Sequence, residues 1–299
     1  VVLAQALGWL AYHVDGRGRR GALDNLRCAF GERYTPEERI RIARKSYQNF
    51  ARTFIDLLWS RRLTRANWHR YMEITGPGAG IFRKQETDAR TGIVFMCIHW
   101  GNFEWASLSG GFDGAATTIV VENFKNPRLG PIINGAREVS GQTIIPQENS
   151  MIRLLKIAKR KGATGVLVDL TLRPDQAAVV IDAFGMKMSV TSLHAILAQR
   201  AGALLIPGHG ESLPNGRCRT TIDEPLAIPP GATTQEIAQL CWDHFARKIE
   251  ARPELWMWAY KHWRYRPKAA PVEAYPFYAN PSSKFEKLLA GPPAGNKKR

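Results

Sequence analysis

The stretch CIHWGNFEWASL, residues 97–108, places a histidine and a glutamate, His99 and Glu104, five positions apart. Side chains that share one face of a helix are three or four residues apart, so a continuous helix would not bring these two together. The apolar run GIVFMCI predicts a buried strand over residues 92–98, and a helix is predicted to begin within GNFEWASL. His99 would then lie on the turn between them, where it can fold back over the first helical turn and meet Glu104.

This arrangement has the chemistry of a general base. A glutamate that binds one ring nitrogen fixes the tautomer of a histidine and stabilises the imidazolium, so that the other nitrogen can take a proton from a hydroxyl. No serine follows in a GxSxG sequence, so this hydroxyl need not belong to the protein. The pair therefore predicts direct attack by the alcohol of an acceptor on an activated carbonyl. The alternative is a histidine that caps a turn beside a glutamate on a solvated helix start.

The elements that would position this pair alternate along the chain. A long helix is predicted over residues 35–62, where Thr35 and Glu38 form a capping box before an apolar stripe. Strands are predicted over residues 92–98, 163–169, 177–185, 203–207 and 217–222, and later helices over residues 148–162, 191–202 and 233–252. We therefore predict an α/β fold with a single central mixed sheet covered by helices, preceded by a helical segment associated with the membrane.

The two ends of the chain differ in composition from the middle. Residues 1–14 are mostly apolar but too short alone to span a bilayer, which needs about 20 residues. Arg17, Arg19 and Arg20 follow, as positive charge follows the cytoplasmic end of an anchor. We interpret residues 1–16 as the remnant of a membrane anchor or an interfacial helix, with a buried soluble helix as the alternative. Residues 268–299, rich in proline and glycine, are predicted to form a loosely ordered arm.

The chain is strongly basic, with 42 Lys and Arg against 26 Asp and Glu and a net charge of +16. This charge favours an anionic partner: a membrane surface, a phosphorylated substrate or nucleic acid. The aromatic and basic segment WMWAYKHWRYRP, residues 256–267, fits stacking on bases, a membrane interface or a buried aromatic strand. The four dispersed cysteines predict free thiols, and because the chain has no zinc-ligand spacing, no structural metal is expected. No other cofactor is expected either.

Together these motifs resemble the lysophospholipid acyltransferase superfamily, and more closely its bacterial branch, the lipid A biosynthesis lauroyl/myristoyl acyltransferases. The resemblance extends from about Arg17 to Pro267, which implies an acyltransferase domain over residues 17–267. The catalytic H-x4-D/E dyad of the family corresponds to His99 and Glu104. The segment RRGALDNLRCAFGE is similar to the arginine- and asparagine-containing block upstream of that dyad.

The resemblance also implies roles for residues outside the dyad. FKNPRLGPIINGAREVSGQTIIP is similar to the family's substrate-binding segment, which makes Asn126 a candidate contact and Arg137 the expected ligand of the acceptor's phosphate. Asp169 matches an acidic residue at a strand end that could orient active-site groups, although such aspartates often cap the next turn. One departure is Glu122 and Asn123, which stand where family members often have Arg-Pro.

The function implied is an O-acyltransferase at the cytoplasmic face of a bacterial inner membrane. The donor would be an acyl-carrier protein or acyl-coenzyme A thioester, and the acceptor a hydroxyl of a lipid A precursor or related anionic glycolipid. Backbone N–H groups near Gly101 and Asn102 are candidates for binding the oxyanion. The alternatives are a thioesterase or lipid hydrolase with the same dyad, and a non-enzymatic basic protein that binds membranes or nucleic acid. Nucleic acid is not the expected partner, because no nucleic-acid motif is present.

Overall fold

The computed structural model describes residues 1–81, 91–115, 117–121, 126–148 and 150–291. The strands in this part of the chain are β1 Met72–Thr75, β2 Ile93–Cys97, β3 Thr118–Val121, β4 Thr143–Pro146, β5 Ala163–Leu167, β6 Ala178–Ala183, β7 Met186–Thr191, β8 Leu204–Ser212, β9 Cys218–Ile222, β10 Tyr265–Arg266 and β11 Asn280–Pro281. Seven of them form a central sheet in the order β1-β9-β8-β2-β5-β3-β4. Neighbouring strands are parallel except β8 and β9, which are antiparallel. The predicted mixed α/β sheet is confirmed.

Helices cover this sheet, as predicted. Those in the described residues are α1 Val2–Val14, α2 Gly16–Phe30, α3 Pro36–Trp59, α4 Phe103–Phe112, α5 Leu129–Arg137, α6 Ser150–Lys159, α7 Leu193–Ala201, α8 Thr234–Ala251 and α9 Ser283–Leu289. Helix α3 begins with the predicted capping box, in which Thr35 and Glu38 each bind the other's backbone N–H. It ends at Trp59 because the chain tightens into a short 3₁₀ turn over Ser60–Arg62.

The centre of the sheet brings two strand ends together. Every residue of β2 is buried, and β2 pairs in parallel with β5, with Cys97 beside Leu167. Because the carboxyl ends of parallel neighbours meet at the same edge of a sheet, the residues that follow β2 and β5 are placed side by side. His99 follows β2 and Asp169 follows β5, each two positions beyond its strand.

Strands β6 and β7 form a separate antiparallel hairpin. Sequence analysis predicted a single strand through Gly185, and this is wrong because Phe184 and Gly185 form the turn, both with positive φ. The two-residue turn reverses the chain and pairs Ala183 with Met186. The Phe184 ring packs among the rings of Trp242, Trp256, Trp258 and Trp263.

Helix α1 lies on the surface along α3. Its buried side is Ala4, Gly8 and Tyr12, whereas Val2 is 82% and Val14 76% exposed. A Cβ on Gly8 would lie 2.4 Å from the backbone of Gln48, so the glycine permits the close approach of the two helices. The helix is therefore buried on one side only, against α3, and leaves most of its apolar side chains exposed. Its association with a membrane stays a prediction.

The C-terminal segment corrects two further expectations. The rings of Trp256, Trp258 and Trp263 are fully buried in irregular chain, so they form neither an exposed stacking surface nor a strand. The arm predicted to be loose is packed through residue 291: Phe285 is fully buried, and the Tyr278 hydroxyl donates to Asn25 Oδ1 at 2.5 Å. The Asn25 amide in turn donates to the carbonyls of Trp258 and Tyr260. The rest of the predicted arm, residues 292–299, lies outside the described residues.

Candidate active site

His99 is held by Asp169. The imidazole Nδ1 lies 2.9 Å from Asp169 Oδ1, and the backbone N–H of His99 donates to Oδ2 at 2.9 Å. The indole Nε1–H of Trp256 donates to the same Oδ2, also at 2.9 Å. Asp169 is fully buried, and the His99 side chain is 12% exposed. A buried carboxylate with three donors thus fixes the orientation of a histidine that reaches the surface.

The electrostatics of this pair determine the tautomer of His99. Burial acts to raise the pKa of Asp169, but the charge of His99 and the hydrogen bonds from His99 and Trp256 outweigh it and hold the pKa below its ordinary value. Because an ionised carboxylate only accepts, Nδ1 must carry the proton. In the neutral ring Nε2 is then an acceptor, and it makes no hydrogen bond with any residue that the structure describes. His99 therefore presents a basic nitrogen.

A second histidine lies beside this pair without competing for Asp169. His262 stacks on the indole of Trp256, with ring centroids 3.9 Å apart, and its Nε2–H donates to the Met257 carbonyl. Burial lowers the pKa of His262 to about 4, although the charge of Asp169 acts in the opposite direction. The ring is neutral near pH 7, so the negative charge of Asp169 serves His99.

Glu104 does not have the predicted partner. Sequence analysis paired it with His99, but both carboxylate oxygens accept from Arg137, Oε2 from Nε at 3.0 Å and Oε1 from Nη2 at 2.5 Å. The side chains are 5% and 15% exposed, so this is a largely buried bidentate ion pair. The carboxylate faces α5, which carries Arg137, while His99 Nδ1 is already occupied by Asp169. The predicted contact between Glu104 and His99 is therefore absent from the structure, in which Asp169 binds His99 and Glu104 binds Arg137.

The turn between β2 and α4 is held by its backbone. The N–H of Gly101 donates to the Leu255 carbonyl at 2.9 Å, and that of Asn102 to the Gly210 carbonyl at 2.7 Å. The N–H groups of Gly101 and Asn102 themselves are thus occupied within the protein. Binding of the oxyanion by backbone N–H groups near these two residues stays a prediction. Gly101 has a φ of +60°, and a Cβ on it would lie 2.0 Å from the Gly210 oxygen. This position requires glycine.

Asn102 is a structural residue rather than a visible substrate contact. It is completely buried, its Oδ1 caps α4 by accepting from the Trp105 N–H, and its Nδ2 donates to Asp56 Oδ2 at 2.8 Å. Burial raises the pKa of Asp56 to about 6, against the opposing charge of Arg52. Arg52 Nε lies 3.4 Å from Asp56 Oδ2. The start of α4 is therefore tied to α3.

A polar stripe on α3, which the sequence-based predictions did not include, holds this turn. The Gly101 carbonyl accepts from Asn49 Nδ2 at 3.1 Å and from the Thr53 hydroxyl at 3.0 Å. Ser46 donates to the Trp256 carbonyl. With Asp56, these residues follow one another at three- or four-residue spacing, so they share one face of the helix. The periodicity of these polar residues is a signal from which the stripe could have been predicted. The contact of Trp256 with Asp169 spans 87 positions, and no local pattern indicates it.

Residues 2–265 match the family model of the bacterial lipid A biosynthesis acyltransferases. The chain belongs to this family. Among curated proteins, the chain has no match.

Membership of this acyltransferase family implies, in general, an acyl donor and a lipid acceptor. This membership disfavours the alternative of a non-enzymatic binding protein. The family is typically associated with membranes. Among the helices that the structure describes, none combines the length and the apolar character needed to cross one.

Asn126 is the remaining residue that was predicted to contact the substrate. It is exposed before α5, and its Oδ1 accepts from the Arg128 N–H at 3.0 Å, which forms a turn. A substrate contact through Asn126 stays a prediction. Glu122 and Asn123, where the sequence departs from the family pattern, lie outside the described residues.

Proposed function

We propose that the chain transfers a fatty acyl group from an acyl-carrier protein or acyl-coenzyme A thioester to a hydroxyl of a lipid A precursor or a related glycolipid. The observation that carries this proposal is the hydrogen bond from His99 Nδ1 to the buried, ionised Asp169, which leaves Nε2 as a base. Family membership supplies the reaction class. Asp169 takes the orienting role that sequence analysis gave to Glu104.

In this reaction Nε2 of His99 takes the proton of the acceptor hydroxyl as its oxygen attacks the thioester carbonyl. The imidazolium is stabilised by Asp169, and the carbonyl π electrons move onto the oxygen of a tetrahedral intermediate. When this intermediate collapses, the carbon–sulfur bond breaks and the sulfur receives the proton from Nε2. The products are an ester and a free thiol, and His99 returns to its starting state.

Glu104 has a different role in this proposal. It fixes the guanidinium of Arg137 through Nε and Nη2, and Nη1 forms no hydrogen bond with the described residues. A guanidinium locked on one side by a carboxylate is preorganised to bind a phosphate on the other. We assign to Arg137 the acceptor's phosphate, and to Glu104 the positioning of Arg137.

The proposed location is the cytoplasmic face of a bacterial inner membrane. Two features support it: the exposed apolar side chains of α1, such as Leu3, Leu7 and Leu10, and the net charge of +16. A basic surface favours anionic lipid and also an acidic carrier protein.

The test is a transfer assay on three proteins: wild type, His99→Ala and His69→Ala. His69 is an exposed histidine outside the site and serves as the matched control. Each protein receives both thioester donors and a total bacterial lipid extract, and mass spectrometry identifies the products. We expect wild type and His69→Ala to add one acyl chain to a lipid, and folded His99→Ala to add none.

Two outcomes would contradict the proposal. Free fatty acid as the sole product of the wild type would assign the chain to the hydrolases. Undiminished transfer by His99→Ala would exclude His99 as the base.

A further inference from the structure

A cleft of about 510 Å³ lies between α2 and the start of α3, away from His99. Four arginines line it, together with apolar side chains and the C-terminal segment. The arginines are Arg19, Arg20, Arg27 and Arg39. Arg39 precedes Asn49 on α3 by ten residues, which is about 15 Å along the helix axis. Since Asn49 contacts the turn that carries His99, the cleft is a separate place on the molecule.

The charge of the cleft is unbalanced. Asp24 is the one acidic side chain among its described lining residues, and both of its oxygens are occupied. Oδ1 accepts from Arg27 Nε at 2.7 Å, and Oδ2 from the backbone N–H of Phe277 at 2.6 Å. The other three arginines form no ion pair with any residue in the part of the chain that the structure describes. They present positive charge without a protein counterion.

Two helix termini add to this charge. Gly16 and Pro36, the first residues of α2 and α3, both line the cleft, so the amino-terminal ends of two helices lie at its wall. The end of α2 is capped by Asp15, whose Oδ1 accepts from the Gly18 N–H at 2.8 Å, and Asp15 does not line the cleft. The acidic residues of the first turn of α3, Glu37 and Glu38, do not line it, and Glu38 is engaged by Thr35 and Arg41. The cleft therefore favours an anion with several acceptor oxygens, such as phosphate.

The apolar part of the lining indicates what bears the phosphate. Ile40 is 44% and Phe277 46% exposed, and the guanidinium of Arg20 lies 4.2 Å from the centroid of the Phe277 ring. The cleft begins at Gly16, two residues after the end of α1, whose apolar side chains are exposed. A ligand that satisfies both parts is an amphiphile with a phosphorylated head.

We propose that this cleft binds the phosphorylated headgroup of a membrane lipid and so tethers the protein to the bilayer beside α1. The phosphate contacts Arg20 and Arg39, and the hydrocarbon lies along the apolar side chains. The proposal rests on the membrane-surface part of the proposed function. It requires no acyl transfer, so it can fail while the transfer assay succeeds, and the reverse.

The test measures binding of the whole chain to vesicles, without an acyl donor. One set of vesicles contains phosphatidylcholine with phosphatidic acid, a phosphate monoester; the other contains phosphatidylserine at the same surface charge. We expect the wild type to prefer phosphatidic acid. The double variant Arg20→Gln/Arg39→Gln should bind these vesicles about tenfold more weakly and lose the preference.

The matched control is Arg65→Gln/Arg160→Gln, which removes the same charge from exposed positions outside the cleft. It should keep the preference, and the circular dichroism melting temperature of each variant shows whether it is folded. An equal loss of vesicle binding in both double variants, or no preference for phosphatidic acid in the wild type, would mean that net charge alone explains the binding. Either result would overturn the proposal.

A soluble arm distinguishes the lipid from a free phosphate ester. Glycerol 3-phosphate is titrated into the protein bound to phosphatidic acid vesicles. Partial release of the wild type at high concentration supports recognition of the phosphate in the cleft. Tight binding of glycerol 3-phosphate without any vesicle preference would identify a soluble ligand and overturn the proposal that the cleft binds a membrane lipid.

Discussion

At the scale of single residues, the carboxylate of Asp169 carries the negative charge that a protonated His99 needs. It accepts from two atoms of His99 and from Trp256, and all three bonds are 2.9 Å long. A buried carboxylate in this position stabilises an imidazolium more strongly than one in water, because the local dielectric is low. The carboxylate of Glu104, in contrast, forms a bidentate ion pair with Arg137 and holds its guanidinium.

Two variants separate these roles. Asp169→Asn keeps the shape but allows the other tautomer of His99, so we expect kcat to fall about 10³-fold. Glu104→Gln weakens the hold on Arg137, so we expect mainly a higher KM for a phosphorylated acceptor. Steady-state kinetics against pH, with thermal unfolding as the measure of folding, checks both. The opposite pattern, with kcat lost in Glu104→Gln and kept in Asp169→Asn, would restore the predicted His99–Glu104 dyad.

At the scale of elements, α3 is the support of the site. One face of it binds the Gly101 carbonyl, the Trp256 carbonyl and the cap of α4, through Asn49, Ser46 and Asp56 respectively. Because Asp56 is largely buried in this position, its pKa is raised to about 6. The folded state therefore holds this proton more tightly than the unfolded chain does.

The raised pKa gives a stability prediction with a definite sign. Between pH 4 and pH 6 the unfolded chain ionises Asp56 while the folded protein keeps it protonated. This group therefore lowers the free energy of unfolding as pH rises, by about 3 kcal/mol in total. Asp56→Asn removes that contribution. In denaturant unfolding at pH 4 and pH 7, the change in the free energy of unfolding should favour neutral pH by about 3 kcal/mol more in the variant than in the wild type, and an identical change in both proteins would mean that Asp56 does not contribute.

Local patterns in the sequence predicted the elements but not their partners. The apolar run of β2 and the capping box of α3 are readable because period and cap chemistry involve neighbouring residues. The contact of His99 with Asp169 spans 70 positions and depends on β5 lying beside β2. Strand order is not encoded in periodicity. Glu104 was given to His99 because it was close in sequence, whereas its helical position turns it towards Arg137.

At the scale of the whole molecule, three buried histidines set the response to acid. Burial lowers the pKa of His194, His209 and His262 to about 4. Each binds its proton in the unfolded chain near pH 6.5, so the folded state loses stability as pH falls from about 6.5 to 4. His194 is fully buried, and neither ring nitrogen has a partner among the described residues.

His194→Leu tests this contribution. Between pH 7 and pH 5 the wild type should lose about 2 kcal/mol more of its free energy of unfolding than the variant does. At pH 7 the variant should be no less stable, because it replaces an unpartnered polar ring with an apolar side chain. Chemical denaturation at the two pH values gives both numbers. Equal losses in the two proteins would show that His194 does not contribute to acid sensitivity.

The bond from Trp256 to Asp169, together with the bonds from Asn25 to the carbonyls of Trp258 and Tyr260, has a consequence for synthesis. A ribosome releases His99 and Asp169 long before Trp256, so the nascent chain carries the base and its carboxylate without the indole that completes their setting. It also holds α2 without the segment that the Asn25 amide binds. The surroundings of the His99–Asp169 pair are therefore completed late in translation, when Trp256 and Trp258 pack against residues made much earlier.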